Sequence, residues 1–551
     1  MQVNFRPNIA AIVGQITAGC LARIQQLRFL ERFQTWSRQQ IFSTLAGPIQ
    51  SRNQGLPEGQ TSLSPISSIA RTDTALSACR ASSGKVLAVP QQSQDCRQTQ
   101  TSETKDLGLR CAAAEENVAQ GLASIGRRVP VINSIRLRHY LESSAKHLSD
   151  DQRDAVQLMV NSPISILTGA PGTGKTATIK ALLDVFEQSG SRVRLAAPTG
   201  RAAQRLREVT GHPAQTIHRM LGEAGQKTHS SLDEVIPLAD VIIVDEASMV
   251  DLFLMERLIK ICSPSMKLIL VGDVNQLPSI GIGQVLFDLI ESGVIPVAEL
   301  QRNFRQAGGS QIVIAAETIK EGRIPNPPAP GETKSDCYFI EAENESEIER
   351  LIISAVTRSL PARCGADPYR DIQVLTPKHK GLLGTVSLNK QIQLALHKSG
   401  VEPSSATHAF LPGDRVLNTK NDYQLNVFNG QCGWIQKATS NSVTVKFEAE
   451  EIEYSRFLLR HLVHGYAMSI HRSQGSEYPF VIIPIHESQY PMLNRELLYT
   501  ALTRGQKMVV LIGSRDALEM AVTNSVKHKQ QTELKEKLIK TMPSRLRASA
   551  A

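Results

Sequence analysis

Long apolar runs are missing from this sequence: nowhere in its 551 residues do unbroken apolar residues approach the 18 a membrane-spanning helix needs, so none is expected. Paired cysteines are missing as well. Cys20, Cys79, Cys96, Cys111, Cys262, Cys337, Cys364 and Cys432 never form a CxxC pair and lack the spacing of a zinc site or a dense disulfide framework. A reducing compartment and no structural metal are the expectation. Aromatic residues amount to only 5%, and the stretch Gly47–Asp106 holds none. That stretch is rich in Ser, Gln, Thr and Arg, and offers too little apolar surface to offset the entropy of ordering it, so a disordered linker is expected there.

A charge excess is also absent from most of the chain. The net charge is +9, but 17 Lys and Arg against 9 Asp and Glu lie before Leu148, and 44 against 43 from there on. The positive surplus thus belongs to the N-terminal quarter, and nucleic-acid binding by the remainder calls for a local groove, not an overall field. Within that quarter, Asn8–Leu30 has a helical apolar rhythm with several arginines and no acid before Glu31. Organelle transit peptides share this composition; an amphipathic helix or a plain N-terminal extension is the other reading.

What the sequence does contain begins near Leu107. Ala112–Ile125 has helical spacing, and LSDDQRDAV (Leu148–Val156) reads as a capped helix start, with Ser149 at the N-cap and Gln152 three residues on. Strands and helices then alternate: Ile164–Thr168, a helix from Lys175, Val193–Ala197, a helix from Ala202, and Val241–Val244. This βαβ rhythm predicts an α/β fold, a parallel sheet covered by helices.

The first strand ends in GAPGTGKT, that is Gly169, Ala170, Pro171, Gly172, Thr173, Gly174, Lys175 and Thr176. It fits the GxxxxGK[ST] phosphate loop in the required strand-loop-helix setting. Small residues let backbone N–H groups curl around phosphates, Lys175 bridges the outer ones, and the Thr176 hydroxyl is suited to ligate Mg²⁺. VIIVDEASM supplies the matching acids at a strand tip, where Asp245 is the candidate second Mg²⁺ ligand and Glu246 the group that orients and deprotonates the attacking water. The pair predicts an ATP hydrolase and argues against a non-enzymatic binding module.

Further segments point to a purpose. AAPTGRAAQRL (Ala196–Leu206), TIHRML (Thr216–Leu221), VGDVNQLPSIG (Val271–Gly281), LQRNFRQ (Leu300–Gln306), GYAMSIHRSQGSEYP (Gly465–Pro479) and LLYTALTRG (Leu497–Gly505) occur in this order. On these motifs the chain resembles the RecD-like branch of superfamily 1 helicases across roughly Leu107–Glu536. The resemblance implies two RecA-like P-loop NTPase cores with ATP and Mg²⁺ between them and single-stranded DNA across their top. It also implies that Gln152 reads the adenine edge, that Asp273 and Gln276 link the γ-phosphate to the DNA path, and that Arg305 and Arg504 reach the γ-phosphate from the second core. An amide has the donor and acceptor that adenine needs, and guanidinium groups suit developing phosphate charge.

For DNA contacts the resemblance implies Pro198, Thr199, Gly200, Thr216, His218, His471, Ser473 and Gln474. Small hydroxyl and backbone donors position phosphates without reading sequence. His218 and His471 have the alternative reading of helix-packing or capping residues. The resemblance departs at two positions, with Asn275 where the family usually has aspartate and Arg472 in place of the more usual lysine; both keep hydrogen-bonding ability.

The organisation expected is therefore 1–106 as a basic, mostly disordered extension, 107–147 as a helical lead-in, 148–300 as the first core and 301–551 as the second. Short strands at Val416–Asn418, Cys432–Gln436, Ser442–Phe447 and Glu451–Tyr454 read as an insertion over 412–462, either a small SH3-like β-barrel or a β-meander flap. His218–Val241 leaves room for a small hairpin that would separate strands. The expected activity is ATP-dependent 5′ to 3′ translocation on single-stranded DNA with duplex unwinding at junctions, in DNA repair or recombination. A DNA-stimulated ATPase that remodels protein–DNA complexes is the alternative. The compartment expected is cytoplasmic, with the bacterial nucleoid, and organelle targeting by the N-terminal segment is the other reading.

Overall fold

The computed structural model describes residues 92–125, 137, 140–142, 145–227, 239–304, 309–397, 409–422, 425, 427–439, 441–448, 450–526 and 532–542. The chain divides into two compact units, Met1–Cys111 and Ala112–Ala551, and the second carries both parallel sheets, the antiparallel sheet and the candidate site. Asn8–Leu30 lies outside the described residues. Helix α1 runs from Gln92 to Ser124. It therefore includes Gln92–Asp106, which the sequence assigned to a disordered linker. Although poor in apolar residues, that stretch has no proline or glycine, and its Gln, Arg, Lys and Glu side chains lose little freedom in a helix.

After α2 (Asp150–Asn161), β1 (Ile164–Gly169), α3 (Lys175–Gln188), β2 (Val193–Ala197), α4 (Gly200–Thr210), β3 (Ala214–Thr216), α5 (Ile217–Lys227), β4 (Val241–Val244), α6 (Leu252–Lys260), β5 (Lys267–Gly272), α7 (Val285–Glu291) and β6 (Val297–Leu300) follow in turn. The six strands form one parallel sheet in the order β3-β2-β4-β5-β1-β6. Strands β1, β4 and β5 are buried along their whole length, as strands covered on both faces must be. Side-chain caps set the helix starts: Thr199 Oγ1 accepts from Ala202 N at 3.2 Å and Asp251 Oδ1 from Leu254 N at 2.8 Å.

Of the segment expected to leave room for a strand-separating hairpin, His218–Val241, the first ten residues are helical. Ile217–Lys227 is the helix α5, and 228–238 lies outside the described residues. Met220 and Leu221 follow Ile217 at helical spacing, and all three are buried.

The second half opens with α8 (Gln311–Lys320), β7 (Cys337–Glu341), α9 (Glu345–Ser354), α10 (Leu360–Cys364), β8 (Ile372–Thr376) and α11 (Thr385–Leu396). It then breaks into β9 (Arg415–Asn418), β10 (Cys432–Ala438), β11 (Ser442–Lys446), β12 (Glu451–Ser455) and β13 (Leu462–His464). These five strands make a separate antiparallel sheet, β12-β11-β10-β9-β13, with its own core of Val416, Ile435, Val443, Val445, Phe447 and Tyr454. β13 was not foreseen; it is only three residues long and only Leu462 within it is buried.

The chain returns through β14 (Ala467–Ser469), β15 (Tyr478–Ile485), α12 (Arg495–Leu502), β16 (Gly505–Gly513) and α13 (Arg515–Thr523) to complete a second parallel sheet, β14-β8-β15-β16-β7. The last helix, α14 (Leu534–Thr541), packs on α7 of the first half. Lys537 Nζ there meets Glu115 of α1 at 2.8 Å, and Thr532 donates to Asp288 at 2.8 Å. Among the described residues no helix is long and apolar enough to cross a membrane.

Candidate active site

The carboxyl ends of β1, β4 and β5 gather the loops expected to carry chemistry, the usual place for ligands in open α/β sheets. Gly172 and Gly174 in the loop after β1 have φ of 88° and 86°, left-handed values that favour glycine. A Cβ on Gly174 would stand 2.1 Å from Gln152 Nε2, so the loop packs directly on the start of α2. Lys175 Nζ donates to the carbonyls of Gly169 at 2.7 Å and Ala170 at 3.1 Å, curling back over the loop. Thr176 is partly buried in the first turn of α3.

Gln152 itself is buried with both ends of its amide engaged. Its Oε1 accepts from Ser149 N at 3.1 Å, and its Nε2 donates to the Thr173 carbonyl at 3.2 Å. It thus ties the start of α2 to the phosphate loop. Two residues that the sequence left unmarked hold the same loop from the other side: Asn303 Nδ2 donates to Pro171 O at 3.1 Å and Phe304 N to Gly172 O at 2.9 Å. The pairing of Gly169 with Leu300 explains this, because the chain leaving β6 must pass over the loop leaving β1. Arg305, next in that segment, lies outside the described residues.

Asp245 follows β4 directly. Burial, then the neighbouring Glu246 carboxylate, push its carboxyl up to about 6, with Lys175 acting in the opposite direction. Glu246, at φ 53°, is the one non-glycine residue in the left-handed region among the described residues. Such strain costs on the order of 1–3 kcal/mol and persists where the surroundings enforce it. A buried carboxyl that resists ionisation, with a second carboxylate beside it, fits a cation between it and the phosphates. Among the described residues no group of three or more His, Cys, Asp or Glu could hold a metal. Mg²⁺ needs none here, since it takes one or two protein ligands with phosphate and water for the rest. Thr176 and Asp245 fit that arrangement.

The loop after β5 faces the second half. Asp273, 1% exposed, accepts from Tyr499 Oη at 3.0 Å and from Asn275 N at 2.9 Å. Gln276, 4% exposed, accepts at Oε1 from Arg504 Nη2 at 2.9 Å. Arg504, 2% exposed, also donates to the carbonyls of Thr500 and Ser476, each at 3.2 Å. Leu277 N donates to Thr500 Oγ1 at 2.8 Å, and Gln474 Nε2 to Leu277 O at 3.1 Å. The structure therefore brings Asp273, Gln276, Gln474 and Arg504 into one buried seam. Tyr499 and Thr500 belong to it too; the only sequence signal was their place in LLYTALTRG.

The residues expected along a DNA path are not equally available. Pro198, Thr199, Gly200 and His471 are partly buried, and His218 is exposed. Thr216, Ser473 and Gln474 are buried. Ser473 Oγ donates to Ile470 O at 2.7 Å, and the Thr216 hydroxyl accepts from Arg219 N at 3.2 Å. The antiparallel sheet reaches across to α4: a Cβ on Gly200 would meet Phe428 Cβ at 2.5 Å, Arg201 Nη1 donates to Gly430 O at 3.3 Å, and Gln204 Nε2 to Glu448 at 2.9 Å. Arg205 pairs with Glu477 at 2.6 Å.

Comparison with known proteins gives three family matches: an AAA domain over 147–332, a RecD-like DNA helicase SH3 domain over 388–447 and a UvrD-like helicase C-terminal domain over 464–512. The chain is 36% identical over 380 residues to the ATP-dependent RecD2 DNA helicase of Deinococcus radiodurans, covering 69% of this chain and 51% of that one. It thus spans about half the length of that relative. It is 32% identical over 411 residues to the RecBCD enzyme subunit RecD of Mycolicibacterium smegmatis, covering 68% of this chain and 72% of the relative. A crystal structure of Pif1 helicase from Bacteroides with ADP-AlF3 and single-stranded DNA aligns at 18% identity with a TM-score of 0.45, covering 69% of this chain and 95% of that one.

Proposed function

Because the chain belongs to the RecD-like superfamily 1 helicases, we propose that it hydrolyses ATP to move 5′ to 3′ along single-stranded DNA and to open duplex at a junction. The observation that carries this reading is the Gln276–Arg504 hydrogen bond, which joins the loop after β5 to the end of α12. A glutamine able to hold a phosphate or its attacking water is thereby tied to an arginine from the other half. Each parallel sheet with its helices is taken as a RecA-like core, and the antiparallel sheet as an SH3-like barrel inserted in the second.

In this reading the backbone of Gly169–Gly174 cradles the phosphates. Lys175 exchanges its carbonyl partners for the outer phosphates, and Gln152 passes loop movement to α2 or turns its amide to the adenine edge. Bound between Thr176, Asp245 and the phosphates, Mg²⁺ would neutralise charge developing on the oxygens. Glu246 holds and deprotonates the attacking water, and Arg504, with Arg305, stabilises the transition state from the second core. Changes in the seam alter how the two cores hold the strand along Pro198, Thr199, Gly200, His218 and His471, which produces directed stepping.

Strand displacement with ATP and with a non-hydrolysable analogue tests the proposal. Displacement with ATP alone supports it. DNA-stimulated hydrolysis without displacement would favour the remodelling ATPase instead.

A further inference from the structure

The antiparallel sheet carries a cavity of about 120 Å³ between the turn that follows β9 and the segment linking β12 to β13. Lys420, Asp422, Tyr454, Phe457, Arg460 and His461 line it. Cavities of about 150 Å³ admit a benzene-sized ring, so this one is of the size that receives part of a single flat ring system.

Three observations identify the chemistry. Phe457 is 68% exposed, so one face of its ring is open to a ligand, and the Arg460 guanidinium lies 4.0 Å from its centroid. Tyr454 is 3% exposed, yet its hydroxyl makes no hydrogen bond among the described residues. Burial and the nearby Asp422 carboxylate hold that phenol protonated, so among the described residues a buried donor is left without a partner. Finally, Lys420, Arg460 and His461 surround the opening with Asp422 as the one acid in the lining. Burial, with Arg460 and Lys420 beside it, lowers the His461 pKa, and a neutral imidazole both donates and accepts.

We propose that this cavity is a base-binding outpost for single-stranded DNA, with the base stacked on Phe457, its polar edge on the Tyr454 hydroxyl, and its phosphates beside Lys420 and Arg460. An exposed aromatic ring flanked by cations is the usual platform for single strands, because every base has a π-face. Position supports the same ligand. The loop that carries Lys420 and Asp422 continues to Phe428 and Gly430, which lie against Gly200 and Arg201 at the start of α4. A strand gripped along Thr199 and Gly200, as proposed above, would lie beside this loop. The inference rests on the reading that the protein grips single-stranded DNA, and it adds a contact outside the two parallel sheets.

The test uses the full chain with Phe457→Ala, Arg460→Ala and Tyr454→Phe, fluorescence anisotropy with labelled oligonucleotides, and ATPase assays at saturating DNA. Loss of one stacked base weakens binding by roughly 5- to 150-fold, so Phe457→Ala should fall in that range while stimulated turnover at saturation stays within about twofold. An abasic site moved along the strand should weaken wild-type binding most at one position, and should weaken Phe457→Ala no further there. If wild-type protein shows DNA-stimulated hydrolysis while the variants bind as tightly as wild type, the outpost is refuted and the functional reading survives. Equal loss of affinity for intact and abasic strands would refute base stacking. Wild-type protein that binds no single strand would overturn both.

Discussion

Gln276 accepts a hydrogen bond from Arg504 Nη2 at 2.9 Å across 228 residues of sequence, and both side chains are buried. Removing one partner leaves the other with an unpaired buried group, so the two should behave as a unit. Arg504→Ala should lower ATP turnover by roughly 10³-fold, as expected when an arginine finger is lost, and nucleotide affinity should change much less. Gln276→Ala combined with Arg504→Ala should cost little more than Arg504→Ala alone. Steady-state ATPase assays with fluorescent-nucleotide titration check this; intact turnover with only affinity lost would reassign Arg504 to ground-state binding.

The same assay applies to Arg305, the other finger candidate. Arg305→Ala should likewise reduce turnover by about 10³-fold while the nucleotide still binds. Unchanged turnover would remove Arg305 from the mechanism.

Lys175→Ala and Glu246→Gln should each abolish nearly all DNA-stimulated hydrolysis with circular dichroism unchanged. Lys175 is the only side chain whose ammonium is already seated on the phosphate loop among the described residues, and Glu246 is held in a left-handed conformation beside Asp245. Near-normal turnover in either variant would sink the proposed chemistry.

These expectations show where the sequence was informative. The phosphate loop and the acidic pair were legible because their residue types are dictated by phosphate and cation chemistry, and the strands before them by continuous apolar runs such as Val241–Val244. Hydrogen bonds between distant residues were not. Asn303 on the Pro171 carbonyl and Tyr499 on Asp273 depend on which strands become neighbours, and spacing carries no record of that. The first part of α1, Gln92–Asp106, was missed because its propensity is ordinary while its apolar content is low, and α5 because only three apolar residues carry its 3.6-residue rhythm.

Asp245 gives a pH dependence. Its folded pKa of about 6 stands above the ordinary aspartate value of 3.8. The folded state therefore binds a proton more tightly than the unfolded one, and this contribution to stability is full below pH 3.8 and lost as pH rises through about 6. In nucleotide-free protein Asp245→Asn should raise the melting temperature at pH 7 to 8, and the advantage should vanish near pH 4. A variant less stable than wild type at pH 7.5 would contradict this assignment.

The central claim is directional movement, and matched duplexes differing only in the polarity of a single-stranded tail test it most directly. With saturating ATP and excess trap strand, the account predicts displacement from a 5′ tail and little from a 3′ tail or a blunt end. Preference for the 3′ tail would contradict it.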